Sequence, residues 1–136
     1  MSAAHPWLGE TPWPTAQIER SELTTRIEHL LATQWMGVLC TLGKNGPIGS
    51  PVEYYAEGMR IYILPQPNSP KMNAMKKDPR LCFAIHAENS GWASVKGAQI
   101  FGNAQFIEPG TPEHEHGMNI YRWQSSSIQL DRPIDE

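Results

Sequence analysis

Residues 38–64 read VLCTLGKNGPIGSPVEYYAEGMRIYIL, and this stretch decides the fold. The apolar run 38–42 meets the turn Gly43-Lys44-Asn45-Gly46, the pattern of a strand entering a hairpin. Residues 48–55 return as a second strand, interrupted by Gly49 and Pro51. Proline has no N–H to give a ladder, so Pro51 predicts an edge or a bulge, often where backbone must meet a ligand. Ala56-Glu57-Gly58 turns the chain into 59–64, where Arg60 alternates with apolar neighbours.

Downstream, 81–87 (LCFAIHA) and 92–107 supply further strands, the latter containing Gly97 and Gly102. Short strands joined by tight turns, with no alternating helices, predict an antiparallel barrel or sandwich. One interruption, 70–78, predicts a short helix: Ser69 is an N-cap type, Pro70 suits the first helical position, and Asp78-Pro79 ends it. Met72 and Met75 would face the sheet, while Lys76 and Lys77 face out. Upstream, Ile18, Leu23, Ile27, Leu30 and Leu31 recur at three- and four-residue steps, predicting one amphipathic helix within 15–33, with a break admissible near Ser21. Residues 1–14 form an arm in which Pro6, Pro12 and Pro14 forbid regular structure. Its Trp7, Leu8 and Trp13 call for cover, from this domain or from a neighbouring subunit. The reading is an arm, 1–14, and a single domain, 15–136. In that domain 108–116 is a polar segment, and 118–123 and 127–130 are closing strands.

The chain of 136 residues fits one domain. Its net charge of −3, from 11 basic and 14 acidic residues, gives no basic stripe and so no expectation of nucleic acid. No apolar run is long enough to span a bilayer. The N-terminus MSAAHPWLGETPWPT lacks the basic start and apolar block of a signal peptide, so a cytoplasmic location is expected. Cys40 and Cys82 each sit inside an apolar run, where a thiol usually acts as a small hydrophobe. No secretory context favours a disulfide between them, and no basic residue adjoins either thiol in sequence.

The stretch that carries chemistry is Asn68-Ser69-Pro70-Lys71. A helix N-terminus offers unpaired N–H groups and a partial positive charge to an anion. Ser69 adds a hydroxyl. Lys71, a cation in the first turn, works against the helix dipole and asks for an anionic partner such as phosphate. The alternative is an ordinary cap beside a solvated lysine.

Taken in order, these segments resemble the pyridoxamine 5'-phosphate oxidase-like family of FMN-binding split barrels. The resemblance runs from about residue 30 to 107. It rests on Gly37-Val38-Leu39-Cys40-Thr41, then Asn45 to Val52, then Arg60-Ile61-Tyr62-Ile63-Leu64. The Ser69-x-Lys71 pair, Asp78-Pro79-Arg80-Leu81 and Gly102-x-Ala104 complete it. It implies a mainly β fold: a six-stranded antiparallel split β-barrel of Greek-key type, with an N-terminal helix and one short helix between strands. It further implies FMN as cofactor and a homodimer with the flavin at the subunit interface. Ser69 and Lys71 match the phosphate-binding positions, with Pro70 standing where the oxidase proper has an arginine. Ser50, Pro51, Val52 and Glu53 match the segment that lines the flavin ring, and Ile63 and Leu64 match a pair that flanks it. Lys96 and Gln99 lie on the strand that reaches the flavin across the interface. The oxidase's substrate-binding C-terminal region has no evident counterpart. The expected protein is therefore an FMN-dependent oxidoreductase of unknown substrate, not a true pyridoxamine phosphate oxidase.

No catalytic residue is assigned. Glu53, Tyr54 and Tyr62 are the polar candidates beside the ring. Three rivals stay open: haem, with His86, His114 and His116 as candidate ligands; a reduced deazaflavin; and a binding module without turnover. The histidines lack the usual metal-site spacing.

Overall fold

The structure, a computed structural model, describes residues 17–88 and 94–121. The order is α1 (Arg20–Thr33), β1 (Met36–Gly43), β2 (Gly46–Glu53), β3 (Tyr55–Glu57), β4 (Arg60–Tyr62), α2 (Pro70–Lys77), β5 (Arg80–His86), β6 (Gly97–Asn103) and α3 (Pro112–Tyr121). Among the described residues the fold is mainly β with three helices, and all strand pairing is antiparallel. β2-β1-β5-β6 form a four-stranded sheet, and β3-β4 form a separate two-stranded one.

The expected closed six-stranded barrel is not found: the two sheets do not join among the described residues. Prolines account for part of this. Trp35 O accepts a bond from Tyr54 N, 3.1 Å, so the odd-numbered residues of β1 bond toward β2. Pro47 and Pro51 are paired with Leu42 and Val38, so both point their N–H-less nitrogens to the outer side of β2, where no ladder is broken. β4 ends at Tyr62, just ahead of Pro65 and Pro67. Ile63 and Leu64 thus lie beyond the strand that was expected to carry them.

The core gathers Leu31 of α1, Leu39 of β1, Val52 of β2, Tyr54, Met75 of α2, and Phe83 and Ile85 of β5. Both helices lie on the same face of the large sheet, the one bearing Gly37, Leu39 and Thr41. Tyr54 ties the layers together. Its ring stands edge-on to Phe83 with centroids 5.1 Å apart, and its hydroxyl donates to Leu31 O at 2.7 Å. Helix α1 starts at Arg20 and is unbroken at Ser21. Ile27, Leu30 and Leu31 pack inward, but Ile18 and Leu23 are exposed. α2 matches its expected span, with Met75 buried, Met72 packed on the core and the two lysines exposed.

Helix α3 corrects the sequence reading, which took 108–116 as a polar segment and 118–123 as a closing strand. Thr111 caps it, its Oγ1 accepting from His114 N at 3.2 Å, and Pro112 opens it. Glu113 and Glu115 in the first turn complement its dipole. Gly117 allows close approach to β4, since a Cβ there would lie 3.2 Å from the Tyr62 ring. The arm 1–14, its boundary, and the strand expected at 127–130 lie outside the described residues. No helix among the described residues is long and apolar enough to cross a membrane.

Candidate functional site

α2 packs on β1 and touches β2. Asn68, with φ 63°, turns the chain into the helix, and the Asn73 side chain holds the Asn68 carbonyl at 3.2 Å. The Ser69 hydroxyl accepts from Met72 N at 3.4 Å. A hydroxyl that accepts one bond keeps its own proton to donate. No acidic residue stands in the first turn. Lys71 is half-buried, and among the described residues no carboxylate forms an ion pair with it. At the other end, Asp78 takes three bonds from the Arg80 guanidinium, one at 2.6 Å. These bonds hold the Asp78 carboxyl down at about 2 and keep Arg80 engaged there.

The four expected positions on β2 divide between two faces. Ser50 and Val52 are paired with Leu39 and Gly37 and share the core face. Val52 is buried in the core, so its side chain belongs to the packing. Pro51 and Glu53 are paired with Val38 and Met36 on the opposite face. The N–H groups of Gly49 and Glu53, and the carbonyls of 49, 51 and 53, point to the open side of the strand. That edge therefore offers two donors, Gly49 between its prolines and Glu53 beyond them, and several acceptors. Ile63 is half-buried against the core, whereas Leu64 is exposed. Gln99 is exposed on the face away from the core, paired with Ala84. Lys96, also exposed, just precedes β6 and accepts a bond from Ala87 N at 2.9 Å.

Sequence reading missed Tyr121, which joins two of these positions. Its phenol is pushed up to about 12 by burial and by the neighbouring Glu53 carboxylate and Tyr55, while a backbone hydrogen bond from Leu64 pulls the other way. Its ring stands edge-on to Tyr55 at 5.2 Å. The Thr-Pro-Glu start of α3 was the available signal for it. Of the other polar candidates, Tyr54 is spent on Leu31, and Tyr62 is buried against α3.

The face of the large sheet away from the core is apolar and open. Met36, Val38 and Leu42 of β1 are exposed on it, as is Phe101 of β6 at 77 %. Two of the concavities among the described residues lie on the helix side. One of about 410 Å³ lies at the start of α3. Another of about 280 Å³ lies between α1, β3 and α3. Neither is lined by any of the ten expected cofactor residues. Of the histidines considered as ligands, His116 pairs with Glu57 at 3.0 Å. His86 Nδ1 lies 3.0 Å from Ala87 O. No cluster of three metal-ligating side chains occurs among the described residues.

Comparison with known proteins agrees with this architecture. The family model "Pyridoxamine 5'-phosphate oxidase" matches residues 23–132. No curated protein matches the chain. Among solved structures, a conserved hypothetical protein from Mycobacterium tuberculosis superposes with a TM-score of 0.63 at 20 % identity, over 79 % of this chain and 64 % of its own. A haem-binding protein from Mycobacterium smegmatis gives 0.68 at 19 %, over 82 % and 47 %. An FAD-binding protein from Mesorhizobium loti gives 0.66 at 19 %, over 84 % and 78 %. The chain thus spans less than two thirds of the first two relatives. At these identities the structures support the fold, while the family model covers most of the chain: the protein belongs to the pyridoxamine 5'-phosphate oxidase family.

Proposed function

We propose that the protein is an FMN-binding flavoprotein that works as a homodimer, an oxidoreductase of the pyridoxamine 5'-phosphate oxidase-like type. The observation that carries this reading is the N-terminus of α2. Ser69 caps the helix, its amides are open there and Lys71 follows in the first turn, with no carboxylate in that turn to answer them. A lysine in that turn opposes the helix dipole by about 0.3–1 kcal/mol, and a phosphate dianion reverses the sign of that contact. Ser69 and Lys71 would hold the phosphate. The open edge of β2, with the Gly49 and Glu53 amides, would meet the ring. Bound flavin would supply hydride or single-electron transfer; the protein's part is to hold the phosphate and cover one ring face.

A second copy completes the site in this reading. Pro51, Glu53 and Gln99 share the apolar sheet face, where a partner would supply another wall. Four strands about 4.8 Å apart, with a rise of about 3.3 Å per residue, give that face on the order of 400 Å², the size of patch that marks an interaction surface. Gln99 and Phe101 on this face would meet the partner. The family resemblance and the FAD-binding neighbour support a flavin.

The test is the visible spectrum of the purified protein before and after addition of FMN, followed by titration of Lys71→Ala. A charge-assisted hydrogen bond contributes about 1.5–3 kcal/mol, so the variant should bind FMN about 10- to 100-fold more weakly. Unchanged affinity would remove the phosphate assignment. A Soret band, or indifference to FMN, would turn the reading toward haem, or toward a deazaflavin or non-catalytic module.

A further inference from the structure

The open sheet face carries a second feature that the flavin reading does not use. Cys40 of β1 and Cys82 of β5 are direct cross-strand partners. Both thiols are free and half-buried, and both lie on the side away from the core, among Val38, Leu42 and Phe101. The Cys82 thiol is pushed up by burial and by Cys40 beside it, so the two sulfurs lie within electrostatic reach of each other.

The hydrogen-bond register fixes what this pair suits. Odd-numbered residues of β1 bond toward β2, because Trp35 O accepts from Tyr54 N. Odd-numbered residues of β5 bond toward β6, since Pro79 O accepts from Ala104 N at 2.8 Å and Ala87 N donates to Lys96 O at 2.9 Å. Cys40 and Cys82, being even-numbered, therefore bond to each other. Such hydrogen-bonded partners have Cα atoms about 5.5 Å apart and Cβ atoms at the wide end of about 4.5–5.5 Å. A disulfide draws its Cβ atoms to about 3.8 Å, so a direct S–S bond would pull the central strands together. A single bridging atom would not. Two sulfurs each about 2.3 Å from one soft centre stand about 3.4–3.8 Å apart, from a pyramidal to a tetrahedral angle, against about 2.0 Å in a disulfide.

We propose that Cys40 and Cys82 form a bidentate dithiol site for a soft, thiophilic centre that takes two sulfur ligands, the class to which monosubstituted trivalent arsenicals belong. With phenylarsine oxide as the probe, two As–S bonds form and the arsenic–oxygen bond is broken. The oxygen leaves as water with the two thiol protons, and arsenic stays trivalent, so no oxidant or reductant enters. The inference goes beyond the flavin reading and does not depend on it. Because the pair lies at the middle of the face proposed for a second copy, the adduct should also shift the protein toward monomer.

The experiment titrates the purified protein with phenylarsine oxide while counting thiols that react with a chromogenic disulfide. The expected result is one arsenical per chain, loss of both titratable thiols, resistance to excess monothiol and release by a dithiol. Cys40→Ser and Cys82→Ser should each weaken retention by about 10²- to 10⁴-fold, the loss of the intramolecular second contact. Retention unaffected by either single variant, an adduct stripped by monothiol, or thiols silent toward both reagents in the folded protein would each overturn the proposal. FMN binding by the two serine variants, measured separately, distinguishes this outcome from failure of the phosphate site.

Discussion

A methyl group at Gly37 should be among the most damaging small changes this sheet can suffer. A Cβ built there would lie 2.3 Å from Phe83 Cζ and 2.8 Å from its Cε1. The ring lies over the glycine as an aromatic side chain covers a bare stretch of strand. It cannot swing aside cheaply. Phe83 is 1 % exposed, it stands edge-on to Tyr54, and Tyr54 is held to Leu31 O at 2.7 Å. Displacing the ring therefore disturbs the joint between α1 and the sheet. Overpacking a core costs about 1–3 kcal/mol, and with a buried ring as the obstacle Gly37→Ala belongs near about 3 kcal/mol. Phe83→Leu, which removes ring carbons, should cost about 1–2 kcal/mol by itself. The double variant should then be less damaged than the sum, with a coupling of about 2 kcal/mol. Urea unfolding followed by circular dichroism measures all three. A Gly37→Ala protein within about 0.5 kcal/mol of the parent, or strict additivity, would refute the packing argument.

Thr41 is 2 % exposed with no hydrogen-bond partner for its Oγ1 among the described residues, so Thr41→Val should stabilise the fold by about 1 kcal/mol; destabilisation in the same urea assay would mean that the hydroxyl has a partner. Tyr54→Phe leaves the Leu31 carbonyl without its donor and should cost about 1–2 kcal/mol at neutral pH. Burial raises the Tyr54 phenol from 10.0 to about 12. A raised folded value means that its contribution is intact below pH 10 and is lost as pH rises toward 12. The variant's stability should therefore fall less steeply over that window, with Tyr121 and the raised Cys82 thiol still contributing slope, and an unchanged slope would refute the assignment. Phe101→Asp places a charge at the most exposed apolar position of the open face. It should convert the proposed dimer to monomer by sedimentation, while a dimer of undiminished affinity would move the interface elsewhere.

Much of the architecture is readable from local chemistry, and the failures have physical causes. Ser69-Pro70 announced α2 correctly, because a capping hydroxyl and a proline at the first position act within four residues. Thr111-Pro112 carries the same signal for α3. Against that signal stands Gly117, a poor helix former tolerated where the helix meets Tyr62. Residues 59–64 read as one strand, yet only Arg60–Tyr62 pairs, since pairing depends on a partner that a local pattern does not contain. Barrel closure fails to appear for the same reason. The candidate site was legible as a helix N-terminus but not as a surface, because the facing of Ser50, Pro51, Val52 and Glu53 depends on register, and a slip of one residue inverts every side chain.

The runs VLCTL and LCFAI contain a more general signal. A strand with one wet face alternates polar and apolar residues, whereas a strand covered on both faces is apolar throughout. β1 and β5 are of the second kind, and they are the two central strands of their sheet. α1 and α2 cover the side bearing Leu39 and Phe83. Among the described residues nothing covers Met36, Val38, Leu42 or Phe101, which remain exposed. The apolarity of these strands on both faces thus calls for more cover than the described part of one chain provides. A second copy packed face to face would provide it symmetrically, placing each chain's Gln99 and Phe101 against the other. Such a copy would cover the exposed sheet face and the expected residues that share it, Pro51, Glu53 and Gln99.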